Sequence, residues 1–241
     1  MLFLKKPILL YCMGKCASTT VSEKLKILNY DVFHIHQICH INHRLDLNFL
    51  LKKSLVISMT RELIGRNISW FFQRMNINNV SYSECYVGNE DQVLNMSIDD
   101  LKHHFYYKLP SKVHFDSLNW FDENFKKNLN FDVYDYNFNI EKGFSVYDDR
   151  ILIIRFEDMK RVGEKAIADF IKLDNFNFVE DKNVGFKKWY REKYIAFLKE
   201  PVPEWYVNMM YETKFMRHFY SKEEILFFKK KYLNISNLYL N

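Results

Sequence analysis

Over roughly the first 60 residues the pattern of apolar and polar positions changes type several times. The stretch 7-PILLYC-12 is a short unbroken apolar run, which predicts a strand buried on both faces. In 18-STTVSEKLKIL-28, Val21, Leu25 and Leu28 recur at helical spacing. The runs 30-YDVFHIH-36 and 54-SLVISMT-60 predict a second and a third strand. A helix over 62-ELIGRNISWFFQRM-75 follows, carrying Leu63, Ile68, Phe71, Phe72 and Met75. Strand, helix, strand, then strand and helix is the order of an α/β fold with a parallel sheet and crossover helices.

Further along, residues 76–97 are polar and read as a loop. It ends in 97-SIDDLKHHFYY-107, where Ser97 and Asp100 make a start like a capping box. The pattern predicts a helix over 116–129, strands at 131-FDVYDY-136 and 151-ILIIRF-156, and a helix over 162–173. The tail holds 185-GFKKWYREKYIAFLKE-200, a proline pair at Pro201 and Pro203, and a final helix at 222–233, which together predict a helical C-terminal part. With no repeat, linker or low-complexity segment, one domain over residues 1–241 is the expectation.

Composition narrows the class. A chain of 241 residues, 48% apolar and 17% aromatic, is long and apolar enough for one sizeable core, which excludes a disordered chain. The net charge of +5 is compatible with an anionic ligand but too weak and too spread out to argue for nucleic acid. Of Cys12, Cys16, Cys39 and Cys85, the first two are four apart and the others supply no matching pair, so the expectation is unbridged thiols in a reducing compartment and no metal. The apolar stretch 7–13 is far shorter than the ~20 residues of a membrane-spanning helix. It runs into GKCASTT without a cleavage region, so a cytoplasmic protein without a transmembrane segment is expected.

Candidate chemistry begins at 11-YCMGKCASTTVSEKL-25, a turn after a strand that leads into a helix. A magnesium–nucleotide loop needs G-x-x-x-x-G-K-[ST]. Here Gly14-Lys15 is present, but Leu9 stands where the first glycine belongs and Cys16 where the magnesium-binding hydroxyl belongs. What remains is Lys15, the hydroxyls of Ser18, Thr19 and Thr20, and a helix N-terminus whose N–H groups and dipole attract an anion. The simpler alternative is that Ser18 or Thr19 only caps the helix. Arg61, just past the third strand, lies where α/β sheets bind ligands, and its guanidinium suits a second phosphate. Ser69 follows eight residues later, about two turns into the helix.

Taken together, Gly14, Lys15, Cys16, Ala17, Ser18, Thr19 and Thr20 after strand one, with Arg61 and Ser69 in an R-x7-S pattern after strand three, resemble the sulfotransferases that use 3′-phosphoadenosine 5′-phosphosulfate (PAPS). The resemblance implies a sulfotransferase-like sheet with a P-loop-like turn. The loop would hold the 5′-phosphosulfate, Arg61 and Ser69 the 3′-phosphate, and 3′,5′-adenosine bisphosphate (PAP) would leave without help from a metal. Two departures from the pattern are Cys16 for a hydroxyl and Ala17 for the usual glycine, which bears on any backbone conformation with positive φ. The segments 119-NWFDENFK-126, 132-DVYDYNFNIEKGFSVY-147, 151-ILIIRFEDM-159 and 187-KKWYREKY-194 resemble the bacterial capsular polysaccharide synthesis family known by an N-K-W-Y-S motif, of which K-W-Y survives. That implies a saccharide or glycan-precursor acceptor and an association with a membrane-bound polysaccharide assembly complex.

For the proton of the acceptor hydroxyl, 33-FHIHQ-37 offers His34 and His36, two apart on a strand and so on one face. His36, nearer the strand end, is the preferred base, with His34 as its helper or the alternative base, while Lys15 is assigned to the leaving oxygen. The simpler alternative is that both histidines are structural and hydrogen-bond to backbone. The same pattern is similar to that of carbohydrate 2-O-sulfotransferases. Glu62 and Glu157 are weaker candidates, expected to serve a helix start and a turn. His103, His104 and His114 fall in the irregular middle, where they offer an acceptor-cleft lining but read first as exposed helix histidines; His40 and His43 with His36 suggest a metal by composition only, with no spacing that enforces it. Lys188, Trp189 and Tyr190, with Lys187, offer a lid or a sugar platform, or else a core-packing helix. The competing classes are a P-loop kinase, a sulfotransferase-like scaffold with no activity, and a glycosyltransferase. The last lacks a D-x-D motif at a strand end, since Asp46-Leu47-Asn48 is not one.

Overall fold

A computed structural model describes residues 6–37, 47–78, 85–109, 111–178 and 188–233. In chain order the elements are β1 (Ile8–Tyr11), α1 (Ser18–Ile27), β2 (Val32–Ile35), α2 (Leu47–Lys53), β3 (Leu55–Thr60), α3 (Leu63–Arg74), α4 (Glu90–Asn95) and α5 (Ile98–His103). Next come α6 (Ser111–Phe115), α7 (Lys127–Leu129), β4 (Phe144–Tyr147), β5 (Ile151–Arg155), α8 (Glu164–Ile171), α9 (Arg191–Lys199), α10 (Glu204–Tyr211), α11 (Lys214–Phe219) and α12 (Lys222–Leu233). Wider π turns extend α5 over His104–Lys108 and lead into α7 over Phe121–Lys126. None of these helices is long and apolar enough to cross a membrane.

The chain divides into two compact units. The first holds the described residues up to Glu62 and those from Asn119 to 178, and the second holds 63–118 and 188–233.

The first unit is built on a five-stranded sheet in the order β2-β1-β3-β5-β4, parallel except for the antiparallel β4–β5 pair. All four residues of β1 are fully buried, at about 1.5–3 kcal/mol for each large aliphatic side chain taken out of water. That is why an unbroken apolar run was needed there. The chain leaves β1 for β2 on one side and β3 on the other, so the carboxyl ends of β1 and β3 flank a point where the winding reverses, the usual position of a ligand crevice in such sheets. Tyr11, Trp120 and Phe125 pack with ring centroids 5.1–5.6 Å apart, and Tyr11 Oη donates to Asn124 Oδ1 at 2.8 Å.

The strand expected at 131–136 is a 3-10 turn over Val133–Asp135 instead. Phe131 and Val133 are buried, as the alternation required, but the Asp132 carboxylate accepts the Tyr134 N–H at 3.1 Å and turns the backbone locally. The edge strand beside β5 is β4. Its turn to β5 uses Asp148 and Asp149 at φ 50° and 48°, the sense that fits strand twist, closed by Arg150 N–H donating to the Tyr147 carbonyl at 3.0 Å. Before β4, Gly143 sits at φ 76° with the Asp158 carboxyl where a Cβ would be, at 2.4 Å, and that carboxyl bridges Arg155 and Arg161.

The second unit is helical. Phe71, Phe72, Phe105, Phe197 and Tyr206 form an aromatic core with edge-to-face pairs at 5.3–5.7 Å. The loop expected at 76–97 contains α4, opened by a capping box of Asn89 and Gln92. Ser97 accepts the Asp100 N–H at 3.0 Å, as the start of α5 demanded.

Candidate functional site

The turn between β1 and α1 spans residues 12–17 and belongs to the first unit. Leu9 lies fully buried in mid-strand, so no glycine loop could begin there. The backbone takes positive φ at Lys15 (75°) and at Ala17 (65°), but not at Gly14 or Cys16 between and before them. An alternating sign of φ turns successive N–H groups to one side and makes an anion-binding concavity. Left-handed backbone costs a residue with a side chain roughly 1–2 kcal/mol, and such strain gathers at functional sites. Ala17 thus adopts the conformation its missing glycine would have favoured. It is also the N-cap of α1 and brings no capping side chain, and the first turn carries no acidic residue that would compete with an anion.

Cys16 is fully buried, with its thiol donating to the Gly14 carbonyl at 3.7 Å. It therefore shapes the loop from inside and does not present a side chain to a ligand. Ser18 and Thr20 are buried, Thr19 half-buried. The Ser18 hydroxyl is engaged with Cys12, whose thiol burial pushes up to about 12. Among the described residues, Cys12, Cys16 and Cys85 are buried thiols and not disulfides; Cys39, His40, His43 and Lys187 lie outside the described residues.

Arg61 follows β3 and reaches the loop: its Nη1 donates to the Lys15 carbonyl at 3.0 Å, and its guanidinium lies 4.4 Å from the centre of the Phe156 ring. Glu157 accepts the Glu62 N–H at 2.9 Å, so its carboxylate ties the end of β5 to the distant chain entering α3.

His36 is held on two sides. Its carbonyl accepts Trp120 Nε1–H at 2.9 Å, and its own Nδ1–H donates to the Cys12 carbonyl at 2.8 Å. That second bond fixes the tautomer and puts the basic lone pair on Nε2. Nε2 faces the loop, 4.0 Å from where a Cβ on Gly14 would stand. His34 packs edge-to-face on His36, centroids 5.0 Å apart, and is held down to about 4 by burial first and then by the charges of His36 and Lys26. The structure thus brings together Gly14, Lys15, Cys16, Ala17, Ser18, Arg61, His34 and His36. Sequence reasoning passed over Trp120 as a positioning residue, although 119-NWFDENFK-126 had been singled out; an indole N–H bonded to a backbone carbonyl leaves no periodic signal.

Ser69 is half-buried on α3, which belongs to the second unit. In the same unit Lys188 and Trp189 are half-buried just before α9, while the Tyr190 ring is buried against Phe72 and Trp189 at 5.6 and 5.2 Å. Tyr190 therefore does core work there. His114 departs from the exposed helix histidine expected of it. It is 4% exposed, its Nε2–H donates to the Phe105 carbonyl at 3.0 Å, and its Nδ1 accepts from Tyr206 Oη at 2.7 Å. Asn67 Nδ2 completes this polar knot, with bonds to the His114 carbonyl and to Tyr206 Oη.

No curated protein and no solved structure matches the chain. A family model does, that of NKWYS, described as "Putative capsular polysaccharide synthesis protein", over residues 91–221, which is 131 of the 241 residues. The matched stretch includes Trp120, β4, β5 and the K-W-Y core at Lys188-Trp189-Tyr190, and the loop after β1 precedes it. By a match over more than half its length, the chain belongs to the NKWYS family of capsular polysaccharide synthesis proteins.

Proposed function

We propose that the chain is a sulfotransferase that moves a sulfuryl group from PAPS to a hydroxyl of a saccharide or glycan precursor in polysaccharide synthesis. The observation that carries this reading is the loop itself. Strain at Lys15 and Ala17 gathers backbone N–H groups at the N-terminus of α1, with a lysine and an arginine at its edge and the Nε2 lone pair of His36 facing it. A loop that lacks both the first glycine and the magnesium-binding hydroxyl suits a phosphosulfate better than magnesium–ATP.

In this reading the acceptor O–H gives its proton to His36 Nε2 as the acceptor oxygen bonds to sulfur. The bond from sulfur to the 5′-phosphate oxygen breaks, and PAP departs with the electron pair. Lys15 and the loop N–H groups balance the charge that grows on the leaving oxygen. Arg61 supplies positive charge for the 3′-phosphate. The family supplies the setting, polysaccharide synthesis.

Calorimetric titration with PAP, beside AMP, ADP and magnesium–ATP, tests the donor. PAP should bind at least tenfold more tightly than AMP, and Arg61→Ala should erase that preference, because a charge-assisted phosphate bond contributes about 1.5–3 kcal/mol. A preference for magnesium–ATP would overturn the reading in favour of a kinase, and binding of none of the four would favour a scaffold.

A further inference from the structure

Cys12 directly follows β1, His34 lies within β2, and His36 stands one residue beyond it. The parallel register pairs Leu10 with His34 and Tyr11 with Ile35, and Cys12 N–H donates to the Ile35 carbonyl at 3.4 Å, so the pairing runs on past the strand end. Residues two apart on paired strands share a face. Cys12, His34 and His36 therefore point to one side, and their sulfur and one ring nitrogen from each histidine all lie within 4.8 Å of one another.

Two details of the cluster point to a ligand. His34 Nε2 is buried without a hydrogen-bond partner, a rare condition that calls for an explanation. His36 donates its Nδ1–H to a backbone carbonyl, the arrangement by which metal-binding histidines are oriented. One thiolate and two imidazoles are donors for zinc or a similar borderline-soft ion, not for magnesium or calcium.

We propose that Cys12, His34 and His36 form a binding site for a thiophilic divalent cation such as Zn²⁺, and that the bound ion withholds His36 from proton transfer. Zinc bonds of about 2.3 Å to sulfur and about 2.0–2.1 Å to nitrogen require the three atoms to close by roughly an ångström around the ion. On binding, the Cys12 S–H bond breaks, a metal–sulfur bond forms, and the proton passes to solvent, about one per ion. A lone pair given to the metal is not available to an acceptor hydroxyl, so the ion acts as an inhibitor. The inhibitory half rests on the transfer function proposed above, and the binding half does not.

Co²⁺ titrated into the full chain tests the site without any turnover. It should produce a thiolate-to-cobalt charge-transfer band in the near ultraviolet that saturates at one ion per chain, be displaced by Zn²⁺, and release about one proton per ion. Cys12→Ser should abolish the band. His34→Gln, which keeps the thiol, should weaken binding at least tenfold, so the site can be judged even if the serine variant folds poorly. No band in the unaltered chain, or unchanged cobalt affinity in His34→Gln, overturns the site. In an assay with PAPS, Zn²⁺ should lower the transfer rate and a chelator restore it; a rate indifferent to saturating Zn²⁺ overturns the inhibitory half. A chain that transfers no sulfate to any acceptor counts against the proposed function and leaves the cobalt result standing.

Discussion

Ala17 and His36 tie local geometry to chemistry most directly. At φ 65°, Ala17 has the backbone of a glycine and the Cβ of an alanine. Ala17→Gly should relieve about 1 kcal/mol of strain and lose about 0.4–1 kcal/mol to the greater freedom of the unfolded chain, leaving stability and PAP affinity nearly as they are. Ala17→Val puts a β-branched residue where its kind is an outlier. It should cost roughly 1–3 kcal/mol and weaken PAP binding at least tenfold, because the same dihedral sets the direction of the loop N–H groups. Thermal melts and calorimetry on the pair would check this, and a valine variant that binds PAP like the parent would rule the concavity out as the anion site. His36 makes a complementary prediction. His36→Ala should lower turnover by about 10²–10⁴-fold with PAP affinity unchanged. Equal losses of turnover and of PAP affinity would make His36 a structural support for the loop and not the base.

Among the elements, the strands that apolar runs announced, β1, β3 and β5, appear within a residue or two of their predicted bounds, because full burial on both faces leaves little freedom in composition. The turn after β1 was legible for the same reason: strand, glycine–lysine and hydroxyls followed in order. What stayed hidden was set by side chains bonding to backbone. Asp132 bends 131–136 out of a strand, and β4 is only four residues long, announced by nothing but Gly143 and the Asp148-Asp149 turn. His114 was misjudged because α6 carries too few residues to show which side is buried. Its burial has a measurable consequence. The folded ring is held down to about 4 by burial first and by Arg66, against the hydrogen bond to the Phe105 carbonyl. Unfolded, it takes up its proton near 6.5. Between those values the unfolded chain binds more protons, so this contribution is full above the unfolded value and is lost as pH falls toward the folded one. The loss is about 3 kcal/mol. Urea midpoints from about pH 7 down to about pH 4 should fall more steeply for the parent than for His114→Gln, whose amide does not titrate. His34 is common to both chains and drops out of the difference. Parallel curves would mean that the ring charges as freely folded as unfolded.

At the scale of the whole molecule, the units interleave along the chain, with boundaries at 62–63, at 118–119 and between the described residues 178 and 188. The first falls inside the stretch that periodicity reads as a single helix, 62–75, so no linker marks it. The family match over 91–221 takes in residues of both units, whereas the loop, His36 and Arg61 lie ahead of it. Interleaving also decides what a truncation does. A chain ending at residue 183 keeps all five strands and the loop but loses α9–α12. Within the second unit it strips Tyr190, Tyr194 and Phe197 from Phe72, Phe197 and Tyr206 from Phe105, and Tyr206 from Asn67 and His114. The aromatic pairs contribute about 0.5–1.5 kcal/mol each beyond their buried area. Each buried polar group left without its partner costs about 1–3 kcal/mol. Together these losses approach the ~5–15 kcal/mol by which a domain is stable at all. The expected product is a fragment that aggregates or binds a dye specific for exposed apolar surface, with α3 to α6 unable to hold their fold. A monomeric, dye-silent fragment that unfolds cooperatively would show instead that residues 63–118 carry a sufficient core of their own, and that the contacts to Phe197 and Tyr206 contribute little to it.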